Sequence, residues 1–121
     1  MRLYHATIKI KLDLILSDKA IKPGQSFIDV EDDLPGLFGF YDHYSDKHVY
    51  AWTNKRDAIN CARSLRRNAS PRQYTLEERQ AVVIPFNVEL CLVSIDPDCG
   101  VGSGGRMVYG EVRDFDEPIF V

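Results

Sequence analysis

Residues 48–65 read HVYAWTNKRDAINCARSL, and the hydrophobic period changes halfway along them. His48 to Trp52 is rich in residues that suit a pleated, half-buried strand. Ala58, Ile59, Ala62 and Leu65 then recur at helical spacing. Asn54 stands where an N-cap is expected, with Asp57 three residues on. Arg63, Arg66 and Arg67 close the helix, where its dipole favours positive charge. The order along the chain is strand, short helix, loop, strand, helix and then mostly strands, with no internal repeat. The chain therefore lacks the regular alternation of a doubly wound sheet and reads as a mixed α+β domain.

The flanking segments agree with that class. Arg2 to Thr7 reads as a first strand. Ile8, Ile10, Leu12 and Leu14 alternate with Lys9, Lys11 and Asp13, which is strand periodicity, yet Ile8, Leu12, Ile15 and Leu16 also form a helical face. A short helix over Lys11 to Ser17 is the expectation. Lys22 to Gln25, KPGQ, is a turn by its Pro-Gly pair. Ser26 to Lys47 has no sustained period and reads as an irregular loop region, a length often found at functional sites. Thr75 and Glu78 form a capping box for one or two helical turns. Asn87 to Ile95, dense in Val and Leu, is expected to be the clearest strand. Asp96 to Gly105 reads as a loop, and Met107 to Arg113 and Pro118 to Val121 as closing strands.

Composition narrows the functional classes. A chain of 121 residues is one domain by default, and its 45% hydrophobic and 27% charged residues are those of a soluble globular protein. No apolar run approaches the roughly 20 residues that span a bilayer, and the first residues do not resemble a signal peptide. The three cysteines, Cys61, Cys91 and Cys99, form no CxxC pair and are odd in number. That pattern suits a reducing cytoplasm, and the histidines are not spaced with the cysteines as zinc ligands. A net charge of -3 argues against a surface built throughout to hold nucleic acid.

Several motifs fail on context. Gly100, Gly102 and Gly105 match G-x-G-x-x-G, but a strand follows them rather than a helix, and Arg106 stands where a phosphate loop needs Lys-Ser or Lys-Thr. Asp29 to Asp33, DVEDD, lacks the glycine and closing glutamate of a calcium loop. No nucleophile sits on a recognisable elbow. The arginines at 56, 63, 66, 67 and 72 read as a helix end meeting water.

Three segments together resemble one family. LYHAT, with His5 and Thr7, is similar to the first strand of ADP-ribosyltransferases, where a YHGT-like stretch places a histidine on NAD. IKPG resembles the segment after the short helix there. HVYAWTNKRDAINCARSL resembles the second block of the rifamycin-modifying transferases and the poly(ADP-ribose) polymerases, with Val49-Tyr50-Ala51 on the strand and Ala58, Cys61 and Ala62 on the helix's inner face. VYGEVRDFD resembles the third strand of the polymerase branch and maps its glutamate onto Glu111. The rifamycin branch points instead to Asp96 or Asp98, and Glu117-Pro118 resembles its later strand.

The resemblance implies an ADP-ribosyltransferase-like α+β fold, with two facing, mostly antiparallel sheets, an NAD cleft and short flanking helices. It implies a mono-ADP-ribosyltransferase that takes NAD as substrate and needs no metal. The acceptor would be a protein, a nucleic acid or a small molecule, and the small size suits a bacterial or phage effector or toxin. His5 and Thr7 would hold the ribose and diphosphate side, Tyr50 would stack on nicotinamide, and Glu111 would stabilise the ribosyl cation. Strand alternation places Tyr109, Glu111 and Arg113 opposite Val108 and Val112, which turns Glu111 away from the core. Trp52 reads as core packing, and Tyr41 and Tyr44 as a second wall of the nicotinamide slot. The alternatives are a non-catalytic interaction protein on the same fold and an NAD-dependent RNA 2'-phosphotransferase.

Overall fold

The computed structural model describes residues 1–23, 47–97 and 104–121. The expected loop over 26–46, the DVEDD run, Tyr41, Tyr44, Asp98, Cys99 and the first glycines of GVGSGG lie outside the described residues, as do Gly24 and Gln25 of the KPGQ turn.

The first strand, β1 (Arg2–Ile8), runs directly into α1 (Lys9–Asp18). No side chain caps α1. Its first free N–H groups find backbone instead: Lys9 N donates to Gln80 O at 2.9 Å and Ile10 N to Glu78 O at 3.0 Å. That external satisfaction of orphan helix donors starts the helix two residues earlier than expected. The donated-to carbonyls belong to the turn that Thr75 and Glu78 build. Glu78 N donates to Thr75 Oγ1 at 3.2 Å and Thr75 N to Glu78 Oε1 at 2.8 Å, the reciprocal pair of a capping box. Lys19 closes α1 in the left-handed region at φ 56°.

The second unit forms as expected: β2 (His48–Trp52) leads into α2 (Lys55–Asn68). Asn54 caps α2, its side-chain oxygen accepting from Arg56 N at 2.7 Å. Ala58, Ala62 and Leu65 are buried beneath it.

The long strand of the second half is β3 (Ala81–Asn87), not residues 87–95. All of AVVIPF is buried. Pro85 hides this strand in the sequence, because proline removes a ladder donor. The structure accommodates it by direction. Pro85 O accepts from Asp116 N at 2.8 Å, on the side away from β1, so the missing N–H costs no bond to β1. After Asn87 the chain bends through a 3-10 turn at Leu90–Leu92 into the three-residue β4 (Val93–Ile95). Leu90 and Ile95 remain 71% and 63% exposed, so their apolar character reports no burial there.

The last strands are β5 (Gly105–Tyr109) and β6 (Ile119–Phe120). The domain is α+β: six strands form one antiparallel sheet in the order β4-β5-β2-β1-β3-β6, with two helices. The described residues form this one sheet, where two facing sheets were expected. β1 is its axis. Tyr4, Ala6 and Ile8 point to α2, with Ala58, Ala62, Leu65, Ala69, Ala81 and Val83. Leu3 points the other way, into a layer with Leu12, Ile15, Ile21, Val49, Ala51, Ile84, Phe86, Val108 and Val112.

Candidate functional site

The sheet is unevenly joined around β1. Seven register pairs link β1 to β3, but a single pair, Tyr4 with Trp52, links β1 to β2. His5 sits at the place where the β1–β2 ladder ends. Its Nδ1 lies 2.7 Å from the Tyr50 carbonyl oxygen. A carbonyl only accepts, so Nδ1 carries the proton and Nε2 is left as a bare acceptor. His5 is 1% exposed, and burial lowers its pKa below the usual value, which keeps it neutral.

Two residues on, Thr7 is fully buried. Strand alternation puts it on the same face as His5 and Leu3. His5 Nε2 and Thr7 Oγ1 are both buried without a hydrogen-bond partner. Native interiors leave few such groups, because each costs about 1–3 kcal/mol. An acceptor and a hydroxyl side by side, both wanting partners, suit a ligand that brings its own hydroxyl groups.

The structure does not gather the other expected residues around that pair. Val49 and Ala51 share the buried layer of Leu3, so alternation turns the Tyr50 ring to the opposite face of β2 from His5. The part of Tyr50 that reaches His5 is its backbone carbonyl.

Glu111 is not on β5. Gly110, at φ 82°, ends the strand after Tyr109 and breaks the alternation expected through Arg113. From there the chain crosses the α1 side of the sheet. Val112 pairs with Ile21, Phe115 packs on the core layer, and Asp116 N reaches Pro85 O. Glu111 stands at the start of this crossing with its carboxylate 2.6 Å from Arg113 Nε. Among the alternative acids, Asp96 is 5% exposed at the end of β4, three strands from β1, and Glu117 is exposed.

An open cleft of about 370 Å³ lies at the Asn87 end of β3. Leu16 and Lys19 from the end of α1 line it with Asn87 and residues 113–116. Residues 113–116 fall within the VYGEVRDFD segment, but no motif joins them to Leu16, Lys19 and Asn87, which they meet only through the crossing segment. His5 and Thr7 do not open onto it.

Among the described residues no group of His, Cys, Asp and Glu is arranged to hold a metal ion. Burial pushes the Cys61 thiol up to about 11, so it is protonated and a poor nucleophile at neutral pH. No helix among the described residues is long and apolar enough to cross a membrane. Comparison with protein-family models, with curated proteins and with solved structures gives no match.

Proposed function

We propose that the protein is a mono-ADP-ribosyltransferase that takes NAD at the His5–Thr7 face of β1. The reading rests on the resemblance of the LYHAT, HVYAWT and VYGE segments. The observation that carries it is the pair of buried, partnerless polar atoms on the histidine and threonine which that resemblance selects. A ribose hydroxyl donates to a bare imidazole nitrogen, and the Tyr50 carbonyl fixes the tautomer that leaves Nε2 bare. The Thr7 hydroxyl both donates and accepts, and suits the adjoining ribose or diphosphate oxygen.

In the reaction the bond between nicotinamide nitrogen and ribose C1' breaks. Its electron pair leaves with nicotinamide, C1' bonds to the acceptor nucleophile, and the acceptor gives up a proton. Positive charge on the sugar peaks midway, as in glycoside cleavage. The resemblance of VYGE assigns the stabilising carboxylate to Glu111, which in this structure accepts a hydrogen bond from Arg113 Nε.

The test is incubation with NAD and a cell lysate, with nicotinamide release and label transfer as readouts. His5→Ala should lose NAD affinity. Glu111→Gln should keep affinity and lose on the order of 10²–10³ in rate. No NAD binding by calorimetry would favour a non-catalytic interaction protein. Turnover unchanged in Glu111→Gln and lost with Asp96, Asp98 or Glu117 would assign the acid elsewhere.

A further inference from the structure

The outward side of α2 has a charge pattern that the transferase reading does not use. Arg56, Arg63 and Arg67 stand at i, i+7 and i+11, in line along the helix and opposite the buried Ala58, Ala62 and Leu65. Lys55 and Arg66 flank this row, and Arg72 extends it past the helix end; all six are exposed. At about 1.5 Å rise per residue the row runs roughly 16 Å. None of the six forms an ion pair with a described residue, although Arg67 donates to Ser64 Oγ at 3.1 Å. Four cations elsewhere pair: Arg2 with Asp116, Lys9 with Asp13, Lys22 with Asp18 and Arg113 with Glu111.

The imbalance is large for a chain of this charge. Residues 55–72 hold six cations and one acid, a balance of +5, in a sequence whose total is -3, so the remainder carries -8. Total charge conceals the row. Like charges three and four residues apart repel within a helix, so the row works mildly against folding.

We propose that this face of α2 docks the phosphate backbone of a nucleic-acid duplex. Five of the six cations are arginines, whose planar fork matches phosphate oxygens in pairs and is always charged. Residues 55–72 expose no aromatic side chain, so bases have no platform to stack on, and recognition is of backbone rather than sequence. The same stretch exposes no large apolar side chain, which an amphipathic helix needs to enter an anionic membrane. This inference is independent of NAD: neither His5, Thr7 nor Glu111 takes part.

The experiment is fluorescence anisotropy of the full chain with a labelled random-sequence duplex, at about 50 and 200 mM salt. With four phosphates neutralised, affinity should fall on the order of 100-fold between the two salts. The triple variant Arg56→Gln, Arg63→Gln, Arg67→Gln should bind weakly and flatten the salt slope by about 3. Lys11→Gln with Lys19→Gln, on α1 and at its C-cap, should leave binding unchanged, and melting curves should show all variants folded. No duplex binding at low salt would overturn the proposal. So would equal binding by the folded triple variant, a clear preference for single strands, or tight binding to phosphatidylserine vesicles with none to duplex.

Discussion

The two faces of the sheet solve the same burial problem in different ways. On the α2 face, alanines at 58, 62 and 69 let the helix settle closely on Ala6, Ala81 and Val83, and neither buried partnerless side chain lies there. On the α1 face, larger side chains such as Leu3, Ile84 and Phe86 share their layer with His5 and Thr7, whose Nε2 and Oγ1 are unpaired. The helix above it carries apolar residues on its outer side as well and leaves Leu14 and Leu16 about half exposed, at 48% and 49%. One face is closed by apolar contacts. The other leaves two polar groups unpaired in its layer, and the NAD proposal rests on that pair.

The largest test of that contrast is Phe86→Ala. Phe86 is fully buried in the α1-side layer. If that layer is packed as a true core, the substitution should cost about 3–5 kcal/mol in urea unfolding. A loss below about 1 kcal/mol would mean that the layer collapses easily or is loosely filled, and the two faces would differ in packing as well as in polarity.

The next effect is on pH dependence. Burial disfavours the charged form of His5, so its folded pKa lies below the unfolded value of 6.5. Below 6.5 the unfolded chain takes up a proton that the folded chain refuses. The stability linked to His5 is therefore complete above that value and is lost as pH falls through it toward the lower folded pKa. The slope approaches about 1.4 kcal/mol per pH unit. His5→Leu should remove this component from unfolding curves measured across the interval. Identical slopes in the two proteins would show that the imidazole meets water or a partner in the folded state.

A smaller change tests the hydroxyl directly. Thr7→Val keeps the shape and deletes the unpaired group, so the fold should gain about 1 kcal/mol. Under the NAD reading the same variant should bind the dinucleotide less well, a gain in stability with a loss of function. Destabilisation by Thr7→Val would reveal a partner for Oγ1 and make the α1 face as satisfied as its opposite.

The two faces were also unequally legible. The α2 face could be read from Asn54, Ala58, Ala62 and Leu65 because cap, period and burial agree there. The α1 face could not. Its helix carries an alternating pattern from Ile8 to Leu14, and what makes it helical is a pair of carbonyls from residues 78 and 80, which no local window contains. Pro85 disguised the strand beside it. Gly110 ended the alternation on which the orientation of Glu111 depended, and a glycine in a strand pattern leaves open whether the chain continues or turns. His5 and Thr7 were singled out as a pair from a resemblance. That their outer atoms lack partners follows only from how β1 and β2 part, which strand periodicity does not encode.

The smallest predicted effect concerns the outside of α2. Arg63 lies three residues before Arg66 and four before Arg67, so it repels both across the helix surface. It makes no ion pair with a described residue, and its side chain is exposed, away from the alanines that hold the helix down. Arg63→Gln removes the repulsion and keeps a good helix former. The protein should become more stable by about 0.2–0.5 kcal/mol at low ionic strength. That gain should shrink as salt rises, because exposed charges are screened within a Debye length of about 10 Å at 0.1 M. Denaturant unfolding at two salt concentrations reads both the sign and its decay. A loss of stability insensitive to salt would mean that Arg63 packs its stem on the fold, and the row of arginines would then serve the domain itself rather than an anionic partner.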